Sequence, residues 1–117
     1  MRITLIGGAG FIGSHLCRAL LRNRHDLCVV DSLMVNNVHA KLELTDRQRL
    51  ILMKRRAVLA NTRFVQADAR DYDILSDILA TFAPEIVVHL AAVAHQDRAQ
   101  RSPHTTWGHS LRTLENA

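Results

Sequence analysis

The most constraining feature of this sequence is a glycine cluster that directly follows a short apolar stretch near the N-terminus. Residues 2–6 read RITLI, and the chain continues Gly7-Gly8-Ala9-Gly10-Phe11-Ile12-Gly13. The first stretch predicts a short buried strand, and the residues after the cluster predict a helix to about Arg24 with apolar spacing at Ile12, Leu16, Ala19 and Leu20. Glycines suit such a turn because they permit a positive φ, a close approach of a ligand to the backbone, and tight packing of helix on strand.

Predicted strands and helices alternate along the rest of the chain. Buried strands are expected at residues 27–30, 63–66 and 86–90. Thr45 begins a capping-box pattern before a helix whose apolar spacing falls on Leu50, Met53, Ala57 and Ala60. Asp71 is expected to cap a further helix that ends at Pro84 and has an apolar face of Ile74, Leu75, Ile78, Leu79 and Phe82. Ser102-Pro103 begins a last helical segment that continues to Ala117. Continuously apolar strands between helices predict an α/β fold, a doubly wound parallel sheet of about four strands in the order 3-2-1-4.

Length and composition agree with a single domain at residues 1–117. The chain has 117 residues, of which 48% are hydrophobic, enough to bury a core and to exclude disorder. No run of about 18 apolar residues is present, so no membrane span is expected, and no secretory signal is expected either. Cys17 and Cys28 cannot form a disulfide framework and are expected as buried thiols in a cytoplasmic protein.

The positive charge is concentrated in one segment. The net charge is +4, but residues 41–63 contain seven basic and two acidic residues, so the rest of the chain has a net charge of −1. This segment falls largely within a predicted basic helical insertion at about residues 33–62. The run Lys54-Arg55-Arg56 is typical of a solvated helix face, with an oligomer contact or a contact to an acidic substrate as alternatives. Nucleic acid is not expected as a partner because no aromatic residues are interleaved with these cations.

An acidic residue follows the second predicted strand. Asp31 lies 18 residues after Gly13, and Gly8-x-Gly10-x-x-Gly13 lies between a strand and a helix. This arrangement predicts a dinucleotide site in which the helix N-terminus binds the pyrophosphate and Asp31 accepts hydrogen bonds from the adenosine ribose. NAD is favoured over NADP, because the carboxylate repels a 2′-phosphate and no Arg or Lys follows in Ser32-Leu33-Met34. A glycine turn used only for packing is the alternative interpretation.

Four segments resemble the N-terminal part of the extended short-chain dehydrogenase/reductases, the NAD-dependent epimerase/dehydratase family that acts on nucleotide sugars and has a Rossmann-like fold. They read GGAGFIGSHL from Gly7, DSL from Asp31, DARD from Asp68 and PEIVVHLAA from Pro84. The resemblance implies that backbone N–H groups of Phe11 and Ile12 bind the pyrophosphate, and that Asp68 and Ala69 flank the adenine, with the Asp68 carboxylate near its exocyclic amine. The implied cofactor-binding residues are Gly7, Gly10, Phe11, Ile12, Gly13, Asp31, Ser32, Asp68, Ala69, Leu90, Ala91, Ala92 and Ala94.

The chain also departs from the family pattern. Where relatives have an Asn near an Asn-Val-x-Gly pattern, this chain reads His109-Ser110-Leu111-Arg112. The family's catalytic Tyr-x-x-x-Lys has no counterpart, since the only tyrosine is Tyr72 and the residue four positions on is Ser76. We therefore predict that this chain contains no catalytic residue and is truncated relative to the family fold. The resemblance implies that the full protein transfers a hydride between the nicotinamide and a sugar carbon of a nucleotide-sugar substrate. A stand-alone, non-catalytic NAD-binding module for regulation or assembly is the alternative.

Two other features yield expectations about partners. The spacing of His89, His95, His104 and His109 matches no compact ligand motif, so no metal site is expected. His95, just past the fourth strand, faces the substrate or the nicotinamide, or else is a solvated loop residue. The fourth strand pairs with the first on one side only, so its free apolar edge predicts a homo-oligomer, namely a dimer, or else partial disorder in the last helix.

Overall fold

The computed structural model describes residues 1–34, 45–92 and 100–117. The strands in these ranges are β1 (Arg2–Ile6), β2 (Asp26–Asp31), β3 (Arg63–Gln66) and β4 (Ile86–His89). The helices are α1 (Phe11–Arg22), α2 (Asp46–Leu59), α3 (Tyr72–Phe82), α4 (Pro103–Trp107), a π-helical turn (Gly108–Arg112) and α5 (Thr113–Asn116). None of them is long and apolar enough to cross a membrane. Residues 35–44 of the predicted basic insertion lie outside the described ranges.

The strands form one parallel sheet in the order β3-β2-β1-β4, which confirms the predicted order. Ile3 of β1 pairs with Leu27 of β2 on one side and with Ile86 of β4 on the other. Among the described strands, β4 pairs only with β1, and its Ile86 and Val87 are 42% and 38% exposed. The carboxyl ends of all four strands lie at one edge of the sheet, where ligands of open α/β sheets bind.

Alternating side chains of the strands divide the core into two layers, each covered by helices. One layer joins the sheet to α1 and α2 through Leu5, Leu27, Val29, Cys17, Val58 and Leu59. The other joins it to α3 through Ile6, Cys28, Val30, Leu75 and Phe82. Both cysteines are free and buried, as predicted from the sequence. Because helices cover both faces of the sheet, the strands contribute apolar side chains to both layers.

Local hydrogen bonds explain where two of the helices begin and end. The Thr45 hydroxyl accepts a hydrogen bond from the Gln48 N–H at 3.3 Å and Gln48 Oε1 accepts one from the Thr45 N–H at 2.9 Å, which confirms the capping box. The Asp71 carboxylate caps α3 by accepting from the Ile74 N–H at 3.2 Å. Ala83, with φ of 49°, ends α3 directly before Pro84.

The predicted apolar faces of three helices were wrong in part. In α1, Ile12 is 68% exposed and Ala19 is exposed, whereas Gly13, Ser14 and Cys17 are buried. In α3, Ile74 is exposed. In α2 the predicted residues Leu50, Met53, Ala57 and Ala60 are all exposed, and the buried residues are Val58 and Leu59 instead. Helical spacing identifies an apolar stripe, but which turns of a helix reach the sheet depends on the packing.

The last helical segment is interrupted where the sequence predicts a continuous helix. The π-helical turn separates α4 from α5, and the buried Thr113 hydroxyl lies 2.8 Å from the carbonyl oxygen of His109. A threonine that bonds back to the preceding turn opens the helical ladder there. Asn116 fixes the segment to the loop after β3 by donating from Nδ2 to the Ala69 carbonyl at 2.9 Å.

Candidate dinucleotide-binding cleft

A cleft of about 360 Å³ lies at the carboxyl edge of the sheet. It extends across the ends of β1, β2 and β4, with the loop after β3 and the π-helical turn on its walls. The lining residues are Ile6, Gly7, Gly10, Phe11, Ile12, Gly13, Val30, Asp31, Ser32, Ala67, Asp68, Ala69, Leu90, Ala91, Ala92, His109 and Thr113.

Gly7 makes the sharp turn at the end of β1. Its φ is +78°, and a Cβ atom there would lie 2.6 Å from the backbone nitrogen of Ala91. The Gly7 N–H donates to the Val30 carbonyl at 2.7 Å, so the turn is fixed to β2. A side chain at this position would force β1 and the segment after β4 apart, which explains the glycine.

Gly13 brings the first turn of α1 onto the glycine loop. A Cβ atom at Gly13 would collide with the carbonyl oxygen of Gly8 and lie 2.6 Å from its Cα. Gly10 is the N-cap of α1, and no side chain caps this end. The first N–H groups of α1 are therefore left without a side-chain acceptor at the mouth of the cleft, where the positive end of the helix dipole attracts an anion.

The Asp31 carboxylate connects the two loops that follow β1 and β2. Its Oδ2 accepts a hydrogen bond from the Ala9 N–H at 2.9 Å, and its Oδ1 accepts one from the Leu33 N–H at 2.8 Å. Each carboxylate oxygen has two lone-pair sites, so both oxygens can still accept a hydrogen bond from a ligand. Asp31 therefore positions the glycine loop and also presents acceptors to the cleft.

Asp68 is held by Arg70, which the sequence does not predict as a site residue. Its Oδ1 accepts from the Arg70 backbone N–H at 2.9 Å, and the Arg70 guanidinium contacts both carboxylate oxygens, with Nη2 to Oδ2 at 2.5 Å. This hydrogen bonding by Arg70 lowers the pKa of Asp68 below its ordinary value. Any hydrogen bond that the Asp68 carboxylate accepts from a ligand must therefore share an oxygen with Arg70.

Two residues of the last helical segment also line the cleft, and neither was predicted as a site residue. His109 and Thr113 are one helical turn apart. The Thr113 hydroxyl lies 2.8 Å from the His109 carbonyl oxygen and 2.9 Å from His89 Nε2, so it hydrogen-bonds to both the last helical segment and β4. Burial lowers the pKa values of both His89 and His109, which favours their neutral forms. The one feature of the sequence that pointed to His109 was that relatives have an Asn in this part of the last helix.

The structure brings twelve of the thirteen predicted cofactor residues to this one cleft. The exception is Ala94, which lies outside the described residues, as does His95. In the described ranges, no three His, Cys, Asp or Glu side chains are grouped as metal ligands. The cleft fits a dinucleotide, because backbone without side chains lies beside uncapped helical N–H groups and a carboxylate follows the adjacent strand.

A parallel sheet in this order, with a glycine turn opening onto its carboxyl edge, defines the class of Rossmann dinucleotide-binding folds. A profile of the NAD-dependent epimerase/dehydratase family matches residues 3–116. The chain belongs to that family.

Curated relatives and solved structures agree with this assignment. The chain is 38% identical over 99 residues to a probable dTDP-glucose 4,6-dehydratase of Sinorhizobium fredii. This match covers 85% of this chain and 25% of the relative. It is 32% identical over 103 residues to a UDP-glucose 4-epimerase of Lacticaseibacillus casei, covering 88% of this chain and 26% of that protein. The chain thus spans about a quarter of the length of these relatives.

Among solved structures, a UDP-glucose 4-epimerase of Stenotrophomonas maltophila with bound NAD and formylated UDP-arabinopyranose matches with a TM-score of 0.75 at 27% identity. The match covers 99% of this chain and 32% of that one. A UDP-glucose 4-epimerase of Thermotoga maritima with UDP-glucose matches with a TM-score of 0.71 at 32% identity, covering 99% of this chain and 33% of that one.

Proposed function

We propose that this chain binds NAD in the cleft, as the cofactor-binding part of an enzyme that acts on a nucleotide sugar. The observation that carries the proposal is the close approach of backbone to backbone at the carboxyl edge, where a Cβ at Gly7 or Gly13 would collide with neighbouring main chain. Such bare backbone beside a helix N-terminus suits a pyrophosphate, which must approach the main chain closely. Relatives that are NAD-bound epimerases support the choice of cofactor.

The cleft residues have separate roles in this proposal. N–H groups of Phe11 and Ile12, in the uncapped first turn of α1, bind the pyrophosphate. Asp31 and the adjacent Ser32 hold the adenosine ribose. Small side chains at Ala69, Ala91 and Ala92 leave room for the dinucleotide along the wall. Ala94, which lies outside the described residues, is still predicted to bind the cofactor on the basis of the sequence alone.

Asp31 favours NAD over NADP in this arrangement. Both carboxylate oxygens are fixed by backbone N–H groups, so the charge cannot turn away from a 2′-phosphate. The lining residues in the described part of the chain include no Arg or Lys that would neutralise that phosphate. We expect NADP to bind at least roughly tenfold more weakly than NAD, a difference in keeping with one uncompensated charge contact.

Sugar chemistry requires groups beyond those that line the cleft. When bound, NAD supplies a nicotinamide that accepts and returns a hydride, and the family resemblance places a Tyr-x-x-x-Lys beside it. Tyr72 begins α3 and is exposed outside the cleft, and neither tyrosine nor lysine occurs among the described lining residues. We therefore propose that these 117 residues bind cofactor without turning over substrate on their own.

Self-association is part of the proposal. Among the described strands β4 pairs with β1 alone and exposes Ile86 and Val87, and apolar side chains on such an edge are unfavourable in water. A second copy that covers this edge would bury them. Sedimentation of the wild-type chain beside Val87→Lys tests this, because a dimer that persists in the variant would exclude the β4 edge as its interface.

The binding proposal is tested by calorimetric titration of the chain with NAD and NADP. Asp31→Ala should weaken NAD binding at least about tenfold. Asp26→Ala is the matched control, because Asp26 is an exposed carboxylate at the other end of the same strand. Equal NAD affinity in the Asp31→Ala and wild-type chains would remove Asp31 from the site, and no binding by a folded wild-type chain would overturn the proposal.

A further inference from the structure

The exposed side of α2 combines apolar and basic residues. Leu50 and Met53 are 52% and 67% exposed, and Ala57 continues the same stripe one turn further. These three residues follow helical spacing and so lie along one face. We call Leu50, Met53 and Ala57 the α2 stripe. An apolar stripe that faces solvent on a helix indicates a contact surface.

The α2 stripe leads into a groove between α1 and α2. The groove is lined by Arg18, Leu21 and Arg22 of α1 and by Lys54, Ala57, Val58 and Asn61 on the α2 side. Leu21, Ala57 and Val58 make it apolar, while Arg18, Arg22 and Lys54 place cations on both of its walls. We call this the α1–α2 groove. It lies on the sheet face opposite α3 and shares no lining residue with the dinucleotide cleft.

The cations of the groove are not neutralised from within the described chain. Arg18, Arg22 and Lys54 form no ion pair with a described residue, and the described part of α2 has Asp46 as its single acidic residue. By contrast, residues 71–85, across the sheet, contain four acidic residues and no Lys or Arg. Among the described residues, the charge is thus divided between the two faces of the sheet, and Arg18, Arg22 and Lys54 have no acidic partner there.

We propose that the α1–α2 groove and the α2 stripe bind an acidic amphipathic helix of a partner protein. An apolar floor with cations on both walls complements a helix that has a narrow apolar stripe flanked by Asp or Glu. Opposite charges across such a groove fix the register and speed the encounter, while the apolar contacts slow dissociation.

The same features argue against nucleic acid as the occupant. Binding of nucleic acid depends on phosphate contacts and, for single strands, on aromatic side chains that stack on bases. Neither α2 nor the lining of the groove contains an aromatic residue, and the exposed Leu50 and Met53 have no counterpart on a phosphate backbone. Exposed aliphatic side chains gain only when a partner buries them.

The test uses the full chain and a labelled synthetic peptide of roughly 20 residues, with glutamates flanking a leucine stripe, long enough to form a helix. Fluorescence anisotropy should show saturable binding that weakens at high salt. Arg22→Glu combined with Lys54→Glu should weaken binding at least about tenfold, and Leu50→Ser combined with Met53→Ser should do the same. All four side chains are exposed, so the variants should fold as the wild type does.

Controls make the outcomes decisive. Arg101→Glu changes the charge at another exposed position, and Ile74→Ser removes an exposed aliphatic side chain from α3, so both should bind the peptide within about twofold of wild type. Equal loss in Arg101→Glu would overturn the proposal, since attraction would then be non-specific. Binding of a DNA duplex as tightly as the peptide, with the same affinity in the Leu50→Ser and Met53→Ser double variant, would also overturn it. A dimer in sedimentation that the same serine variant abolishes would do so too, because a second copy of the chain would then cover the α2 stripe.

Discussion

The Asp31 carboxylate accepts a hydrogen bond from the Ala9 N–H at 2.9 Å, joining the end of β2 to the glycine loop after β1. A residue that the sequence predicts as a ligand of ribose therefore also supports the loop that we propose binds the pyrophosphate. The two halves of the proposed dinucleotide site are connected through one side chain. Changes at Asp31 should consequently alter both cofactor affinity and stability.

The first prediction separates these two roles with Asp31→Asn. The amide keeps the size of the carboxylate but has one acceptor oxygen, so one of the N–H groups of Ala9 and Leu33 loses its acceptor. Losing a hydrogen bond to a charged group should lower the free energy of unfolding by about 1–3 kcal/mol. Urea unfolding measures this, and calorimetry should show a reduced preference for NAD over NADP. Unchanged stability with altered affinity would show that the loop does not depend on Asp31.

The second prediction concerns pH and the pair of Asp68 and Arg70. Because Arg70 lowers the pKa of Asp68 in the folded chain, the pair stabilises the fold above the unfolded pKa of about 4. That stabilisation is lost as the pH falls through the lower folded pKa. Arg70→Gln should therefore have a lower free energy of unfolding than wild type at pH 6, and this difference in free energy should shrink toward pH 2. A difference that is the same at both pH values would mean that Arg70 stabilises the fold by packing alone.

The third prediction concerns His89, which is half-buried in β4. Burial lowers the pKa of His89 in the folded chain, so the unfolded chain binds a proton more readily. Stability should be constant above the unfolded pKa of about 6.5 and fall as the pH drops through the folded pKa. His89→Gln keeps a donor toward Thr113 but does not titrate, so its midpoint of thermal unfolding should change less between pH 7.5 and pH 5. His104→Gln, at an exposed position, is the control and should follow wild type.

The fourth prediction concerns a buried hydroxyl in β1. Thr4 is fully buried, and its Oγ1 has no hydrogen-bond partner in the described structure. Thr4→Val replaces the hydroxyl by a methyl group of similar size, so we expect the free energy of unfolding to rise by about 1 kcal/mol. Thr62→Val is the opposite control, because the Thr62 hydroxyl donates to the Leu59 carbonyl at 2.8 Å and its loss should destabilise the chain. A destabilised Thr4→Val chain would indicate that the hydroxyl has a partner.

The sequence was sufficient for the order of the sheet and for the position of the cleft. Buried strands and glycine turns are local signals, and the right-handed crossover rule converts them into a topology. Helix faces were less predictable. Met53 follows the apolar spacing of α2 yet is 67% exposed, whereas the buried residues of that helix are Val58 and Leu59. Burial depends on where an element ends up, which its own spacing does not specify.

Contacts between distant residues could not be predicted from the sequence. The bond between Asp31 and Ala9 spans 22 positions, and the contact between His89 and Thr113 spans 24. The π-helical turn that brings His109 to the cleft depends on how Thr113 packs against β4. The Arg70 contact to Asp68 is local, and a carboxylate two residues before an arginine could have indicated it.

The most direct test of NAD binding in the cleft is amide chemical-shift mapping of the labelled chain during titration with NAD. We expect saturable shifts at Gly7, Phe11, Ile12, Asp31, Ala69 and Ala91, with Asp26 and Asn61 unchanged at distant positions. Shifts confined to Arg18, Arg22, Lys54 and Asn61 would place the dinucleotide in the α1–α2 groove and contradict the account. So would a folded chain whose cleft amides do not respond to NAD.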